Sequence, residues 1–201
     1  LDAATGDLIW KYATGGYVVG SPAVQDGIVY FGSYDSNVYA LDTATGEYLW
    51  SYKTGGAVSS SPALANGYVY VGSADNNLYA LNAVDGQLVW KYTTEGEVAS
   101  SPAATNQVVV FGSYDGKLYV LDALSGTLRW SYQTEDKVVS SPAIAYGNIY
   151  VGSYDHMVYA FGSNSAVPPD VWPLWIWTVI IIIVILVMLA AVLLLKVFMK
   201  P

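Results

Sequence analysis

The sequence predicts an all-β repeat fold, a β-propeller of four-stranded antiparallel blades with about four blades present, followed by one C-terminal transmembrane α-helix. Three observations carry that prediction. Trp10, Trp50, Trp90 and Trp130 recur at one fixed interval, in step with Pro22, Pro62, Pro102 and Pro142 and with the glycines of GSYD, GSAD, GSYD and GSYD at Gly32, Gly72, Gly112 and Gly152. Each period contains four short apolar runs divided by turn residues. Near the C-terminus, the run from Leu174 to Leu195 carries no charged side chain.

A strict period of this length fixes architecture before any single residue does. In the second full copy the runs fall at about 57–65, 68–73, 77–82 and 87–92, rich in Val, Tyr, Ile and Trp, and read as four strands. The breaks suit tight turns. Asn66-Gly67 and Asp115-Gly116 supply positive φ, and Thr45-Gly46, Asp85-Gly86 and Ser125-Gly126 do the same one hairpin later. A lone meander cannot bury both its faces, so successive copies must stack face to face. The prolines place the first strand of each repeat at the inner edge, because Pro cannot donate to a ladder. The tryptophan ends the last strand and is large enough to reach the neighbouring blade. Burying it contributes about 4 to 6 kcal/mol per blade as an upper bound.

The pattern A-x-D-x-x-T-G-x-x-x-W, met in full by Ala40, Asp42, Thr45, Gly46 and Trp50, resembles the tryptophan-docking motif of the pyrroloquinoline quinone (PQQ) repeat family of β-propellers. Later copies depart conservatively, with Asn82 and Asp85 in one and Val120 and Ser125 in another. The SPA and GSYD elements are also similar to that family, so the resemblance covers nearly all of residues 1–161. It implies that Trp10, Trp50, Trp90 and Trp130 stack on neighbouring blades while Asp42, Thr45 and Gly46 hold the turn. It also implies an eight-bladed arrangement, of which this chain would be a fragment.

Complete blades are expected at 17–52, 57–92 and 97–132, with 137–161 giving three strands of a fourth. Residues 7–12 are of the missing type. They could close a four-bladed ring within the chain, or two chains could complete one ring by self-association. The start inside a repeat, LDAATGDLIW, favours a fragment.

The domain plan is therefore repeats at 1–162, a Ser/Pro linker at 163–171, a transmembrane helix at 172–198 and a short tail at 199–201. As a helix the uncharged run would span about 33 Å, enough for a hydrocarbon core of roughly 30 Å. Most of it is Leu, Ile or Val, and no polar face divides it. Trp172, Trp175 and Trp177 form an aromatic belt at one end, and Lys196 and Lys200 lie at the other. The positive-inside bias predicts a single-pass membrane protein, its propeller extracytoplasmic and its C-terminus cytoplasmic. The rival topology is a tail anchor with a cytosolic propeller.

Composition excludes several functions. The repeat region carries six Lys and Arg, none clustered, against fifteen Asp and Glu, which argues against nucleic acid as a partner. No cysteine is present, so disulfides, thiolate metal sites and cysteine nucleophiles are all absent. Asp35, Asp75, Asp115 and Asp155 recur once per blade and could form a carboxylate ring, but beside Ser, Asn, Gly or His they read as turn residues. His156 is the only histidine and supports neither a zinc site nor a catalytic dyad. Serines such as Ser60, Ser100 and Ser140 have no base in the repeat and read as small residues that let inner strands crowd the axis.

The resemblance invites a quinoprotein dehydrogenase. Such enzymes hold their quinone with an adjacent-cysteine disulfide, a Trp, calcium and a catalytic Asp, and these regular repeats lack that set. The reading is a noncatalytic membrane-anchored binding or scaffold module without a cofactor. Its partners are the lipid bilayer, through 172–198, and another protein, through the blade-rim tyrosines Tyr34, Tyr114 and Tyr154. Tyrosine gives contact area at low entropic cost. Part of a quinoprotein dehydrogenase and a glycan-binding propeller are the alternatives.

Overall fold

A computed structural model describes residues 5–162. The expected linker, transmembrane helix and tail at 163–171, 172–198 and 199–201 lie outside the described residues. Among the described residues no helix is long and apolar enough to cross a membrane.

The described residues form four antiparallel sheets, each an uncrossed meander. The first sheet holds β1 (Ala23–Gln25), β2 (Ile28–Gly32), β3 (Asn37–Asp42) and β4 (Tyr48–Lys53). The second holds β5 (Ala63–Ala65), β6 (Tyr68–Gly72), β7 (Asn77–Asn82) and β8 (Leu88–Thr93). The third holds β9 (Ala103–Ala104), β10 (Val108–Gly112), β11 (Lys117–Asp122) and β12 (Leu128–Gln133). The fourth has three strands, β13 (Ala143–Ala145), β14 (Asn148–Gly152) and β15 (Val158–Phe161). Inner strands follow one another, β1 beside β5, β5 beside β9 and β9 beside β13.

The first strand of each repeat is shorter than its apolar run. Where the sequence predicts a strand over 57–65, β5 covers only Ala63–Ala65. Pro62 has no N–H for a ladder, and the residues before it bond elsewhere: the Val58 amide to Ser33 O in the preceding sheet, the Ser61 amide to Ser101 Oγ in the following one. Axial segments thus tie blades together rather than extend one blade's sheet.

Turn chemistry sets strand length locally. Asp26-Gly27, Asn66-Gly67 and Tyr146-Gly147 have positive φ at both residues, as a two-residue hairpin needs. The third repeat has Asn106-Gln107 there, and Thr105 supplies its hydroxyl to the amides of Gln107 and Val108 instead. β9 shrinks to two residues.

A register shift recurs between Ala40 and Leu41, Ala80 and Leu81, and Val120 and Leu121. Leu49, Val89 and Arg129 are the extra residues, each just before the tryptophan. A bulge re-aims the following side chain and adds twist, so one bulge per blade turns each indole toward the next sheet.

Apolar clusters lie between blades. One joins the first and second sheets through Tyr30, Val38, Ala40 and Val58, Val69, Leu81; a second repeats this for the second and third sheets; a third joins the third and fourth. The recurring glycine of GSYD is explained by this approach. A Cβ at Gly72 would lie 2.2 Å from Val98 O, and at Gly32 2.2 Å from Val58 Cγ1. At Gly152 the nearest atom is 3.4 Å away, an ordinary contact.

Among the described residues the chain does not close a four-bladed ring: the fourth sheet has three strands, and residues 7–12 pair with none of the fifteen strands.

Candidate interaction surface

Three constellations recur along the repeats: an indole clasp, a carboxylate–phenol staple and an exposed tyrosine. The indole clasp lies between blades. Trp50 Nε1 donates to Ala83 O at 3.0 Å, Trp90 Nε1 to Ala123 O at 3.2 Å and Trp10 Nε1 to Thr43 O at 2.8 Å. The receiving turn carries Gly46, Gly86 or Gly126, each at φ near +70°, and a Cβ at Gly86 would lie 2.5 Å from Trp50 Cε3. That glycine has two duties, turn geometry and a flat seat for the ring. Asp42 Oδ1 accepts from the amides of Ala44 and Thr45 and from Thr45 Oγ1. These bonds hold the Asp42 carboxyl below its ordinary range. Trp50 is 6 % exposed and Trp130 37 %.

A second donor joins the clasp in two blades. Tyr30 OH donates to Ala83 O at 3.1 Å and Tyr70 OH to Ala123 O at 2.9 Å, so one carbonyl receives both an indole and a phenol. Burial pushes the Tyr70 phenol up to about 12. The sequence reading does not single out Tyr30 and Tyr70; a tyrosine midway between successive docking tryptophans is the signal that could have found them. The third repeat has Val110 there, and beside Trp130 a cleft of about 570 Å³ opens between Val120, Ile144 and Ile149.

The recurring aspartates are structural staples. Asp75 Oδ2 accepts from Tyr79 OH at 2.5 Å and from the Gly55 amide at 2.7 Å, while Oδ1 accepts from the Asn77 amide. Asp35, Asp115 and Asp155 bind Tyr39, Tyr119 and Tyr159 the same way. Burial opposes ionisation of Asp75, but the bonds from Tyr79, Asn77 and Gly55 outweigh it and hold the carboxyl low. Its phenol partners move up: burial and the Asp35 bond take Tyr39 to about 12. Each staple fastens the linker from the preceding blade to its own hairpin. The four carboxylates do not converge, and among the described residues no group of three or more His, Asp or Glu could hold a metal ion.

The axial serines are committed as well. Ser21 N bonds Ser61 Oγ, Ser61 N bonds Ser101 Oγ, and Ser60 Oγ receives the Gly72 amide. Among the described residues every buried side-chain polar atom has a partner. A quinone with its ion needs convergent free donors, and the described aspartates and serines, bonded as above, do not offer such a set. His156 is exposed, at φ +70°, in the hairpin position that Gly116 fills in the third repeat.

The rim tyrosines sit in the hairpins before β3, β11 and β15. Tyr34 is 44 % exposed, with Tyr17 edge-on at 6.1 Å; Tyr114 is 36 % exposed, with Lys137 Nζ 4.6 Å from its ring centroid; Tyr154 is 60 % exposed. Ala74 interrupts the series in the second blade. Beside Tyr114 a polar hollow of about 240 Å³ is lined by Asp115, Gln133, Glu135, Asp136 and Lys137.

Sheets stacked around inner strands, with the indoles of Trp50 and Trp90 seated on the next sheet, define β-propeller repeats. The chain belongs to the family described as outer membrane protein assembly factor BamB, whose model matches residues 1–61 and 53–167. The crystal structure of BamB from Moraxella catarrhalis is similar at TM-score 0.70 and 22 % identity, over 78 % of this chain and 50 % of that one. This chain thus spans half the length of that relative. The computationally designed Ika4 protein is similar at TM-score 0.71 and 19 % identity, over 78 % of this chain and 97 % of that one. A quinohemoprotein alcohol dehydrogenase, ADHIIG from Pseudomonas putida HK5, is similar at TM-score 0.63 and 24 % identity, over 72 % of this chain and 29 % of that one. At these identities the likeness is one of fold. No curated protein matches the chain.

Proposed function

We propose that the chain is a noncatalytic binding platform, a rigid propeller surface that holds another protein beside a membrane. The observation that carries this reading is the commitment of its recurring polar groups. Aspartates, serines and turn threonines are bonded within and between blades, while the rim aromatics Tyr34, Tyr114 and Tyr154 are among the side chains left exposed to meet a partner. Tyr34, Tyr114 and Tyr154 protrude on hairpins whose backbones are stapled, so little order is lost on contact. Membership in a family named for outer membrane protein assembly supports a protein partner.

Residues 172–198 anchor the platform as a single transmembrane helix, with the propeller extracytoplasmic and the C-terminus cytoplasmic. This rests on the uncharged run from Leu174 to Leu195 and on Lys196 and Lys200 beyond it. Protease added to sealed cells distinguishes the topologies: digestion of the repeats from outside supports the reading, and full protection refutes it.

The surface is tested by crosslinking in membranes with mass-spectrometric identification, comparing the chain with a Tyr34→Ala, Tyr114→Ala, Tyr154→Ala variant. Discrete partners lost in the variant, with unchanged thermal unfolding, are the expected result. A partner set unaffected by the triple substitution refutes the rim assignment. Retention of sugars on a glycan array, or a stoichiometric quinone complex seen by absorbance, would replace the reading with a glycan-binding or quinoprotein one.

A further inference from the structure

The hairpin between β5 and β6 is tied to the seams on both of its sides. The Gly67 carbonyl accepts from the Ala83 amide at 2.9 Å, and Ala83 O is the acceptor that Tyr30 and Trp50 share between the first and second blades. Toward the third blade, Asn66 Nδ2 donates to Asn106 O at 3.0 Å, one inner hairpin bonding the next. Burial and these bonds hold the Asn66 carboxamide, yet the residue is only half-buried.

The peptide bond after it is open to chemistry. Asn66 is the only asparagine in the sequence that precedes glycine; every other precedes a residue with a side chain. Gly67 is exposed, a Cβ there would meet nothing within 4 Å, and its amide makes no hydrogen bond among the described residues. An unshielded, unbonded amide nitrogen next to a carboxamide can turn toward it and attack.

We propose that Asn66 is a site of spontaneous deamidation, with water as the co-reactant, and that its product uncouples the second blade from the third. The Gly67 nitrogen forms a bond to Asn66 Cγ, the Cγ–Nδ2 bond breaks, and ammonia leaves with the Gly67 proton, closing a succinimide ring. Water then opens the ring on either side. Opening at Cγ gives aspartate, and opening at the backbone carbonyl carbon gives isoaspartate, with the chain now running through the side chain. The sum is carboxamide plus water to carboxylate plus ammonia, with no oxidation or reduction.

Either product loses the contact with the third blade. A carboxylate has no hydrogen to donate, so it meets Asn106 O as acceptor against acceptor. Isoaspartate also lengthens a two-residue turn whose φ values, +55° and +72°, fit α-linked residues. The first repeat shows how a carboxylate behaves at this place. Asp26-Gly27 has the same pair of positive φ values, and Asp26 Oδ2 accepts from Gln25 Nε2 at 3.0 Å within its own hairpin instead of bonding the second blade. The proposal is independent of the binding-platform reading, because the reaction needs no partner.

The test follows the full-length protein in mild detergent and mildly alkaline buffer, folded and in urea, by peptide mass spectrometry. The folded chain should show the amide-to-acid mass gain at Asn66 several-fold sooner than at any other asparagine, with isoaspartate labelled by a protein isoaspartyl methyltransferase. Urea should speed the gain, since it frees the carboxamide from Asn106 O, and Gly67→Ala in urea should slow it, since a methyl group there shields the nitrogen. The consequence is read from hydrogen exchange in Asn66→Asp. The Ser61 amide, bonded to Ser101 Oγ across the affected seam, should exchange about fivefold faster, as loss of one hydrogen bond implies. The Ser21 amide, bonded to Ser61 Oγ across the preceding seam, should keep its rate. A folded chain that gains no mass at Asn66, or gains it no sooner than at its other asparagines, overturns the site. Unchanged Ser61 exchange in Asn66→Asp, or an equal rise at Ser21, overturns the uncoupling.

Discussion

The junction between the first and second blades and that between the third and fourth arise from the same repeat, yet they are sealed differently. At the first, Tyr30 and Trp50 both donate to Ala83 O, their rings 5.8 Å apart, and Trp50 is 6 % exposed. At the second, Val110 stands where Tyr30 and Tyr70 stand, Trp130 is 37 % exposed, and a cleft of about 570 Å³ opens beside it. An interblade seam is thus a small set of separable parts: an indole, its glycine seat, and a phenol that shares its acceptor. Removing one part leaves the sheets intact and loosens the seam.

The largest expected effect tests the indole. Trp50→Ala should cost about 3–5 kcal/mol, as deletion of a buried large aromatic does, and Trp130→Ala roughly 1–2 kcal/mol. Urea unfolding monitored by circular dichroism measures both, and equal losses would erase the distinction between the seams. The glycine seat comes next. Gly86→Ala places a Cβ 2.5 Å from Trp50 at a φ of +71°, whereas Gly147→Ala, at +76°, meets nothing within 4 Å. Left-handed strain alone costs about 1–2 kcal/mol; Gly147→Ala should show that cost and Gly86→Ala clearly more. Similar midpoints would mean that the indole yields freely.

The phenol is worth less. Tyr30→Phe removes one shared hydrogen bond, about 1 kcal/mol, and should also raise exposure of Trp50 to collisional quenchers. The staples set a pH dependence that the seams do not share. Tyr39 stays protonated up to about 12 in the folded chain, whereas a free phenol ionises near 10, so the contribution is complete below about pH 10 and fades as pH rises toward about 12. The carboxylates act oppositely. Asp35 and Asp75 are held low, so their contribution is present above about pH 4 and is lost as pH falls below it. Tyrosinate absorbance against pH should show a class of phenols that ionises only with unfolding, and Asp75→Asn should blunt the acid limb. The smallest change concerns His156, an L-residue at φ +70° where the third blade has Gly116. His156→Gly should raise stability by about 0.5–1 kcal/mol, less than any loss above.

Much of this is legible without coordinates. The even step of Trp10, Trp50, Trp90 and Trp130 fixes blade boundaries, and the strands before and after each hairpin fall close to the predicted ranges. The inner strand is the exception, because periodicity reports which side chains are apolar and not where their amides bond. Val58 and Ser61 send theirs to neighbouring blades. The aspartates read correctly as hairpin residues, but Tyr39, Tyr79, Tyr119 and Tyr159 do not stand out as their partners, since a nearby pair on either side of a turn looks like ordinary strand alternation.

What the sequence determined alone is the local grammar: turn glycines at positive φ, prolines that end ladders, alternating apolar faces, and a period that makes every unit fit the next. These follow from the geometry of a few adjacent residues. Only the tertiary structure decided which donors share one carbonyl, which glycines face a neighbour rather than a turn, and which seam leaves its indole exposed. Such facts depend on distances between groups far apart in the chain, as Tyr30 is from Ala83 and Gly15 from Asp35, and those distances exist only once the sheets have stacked.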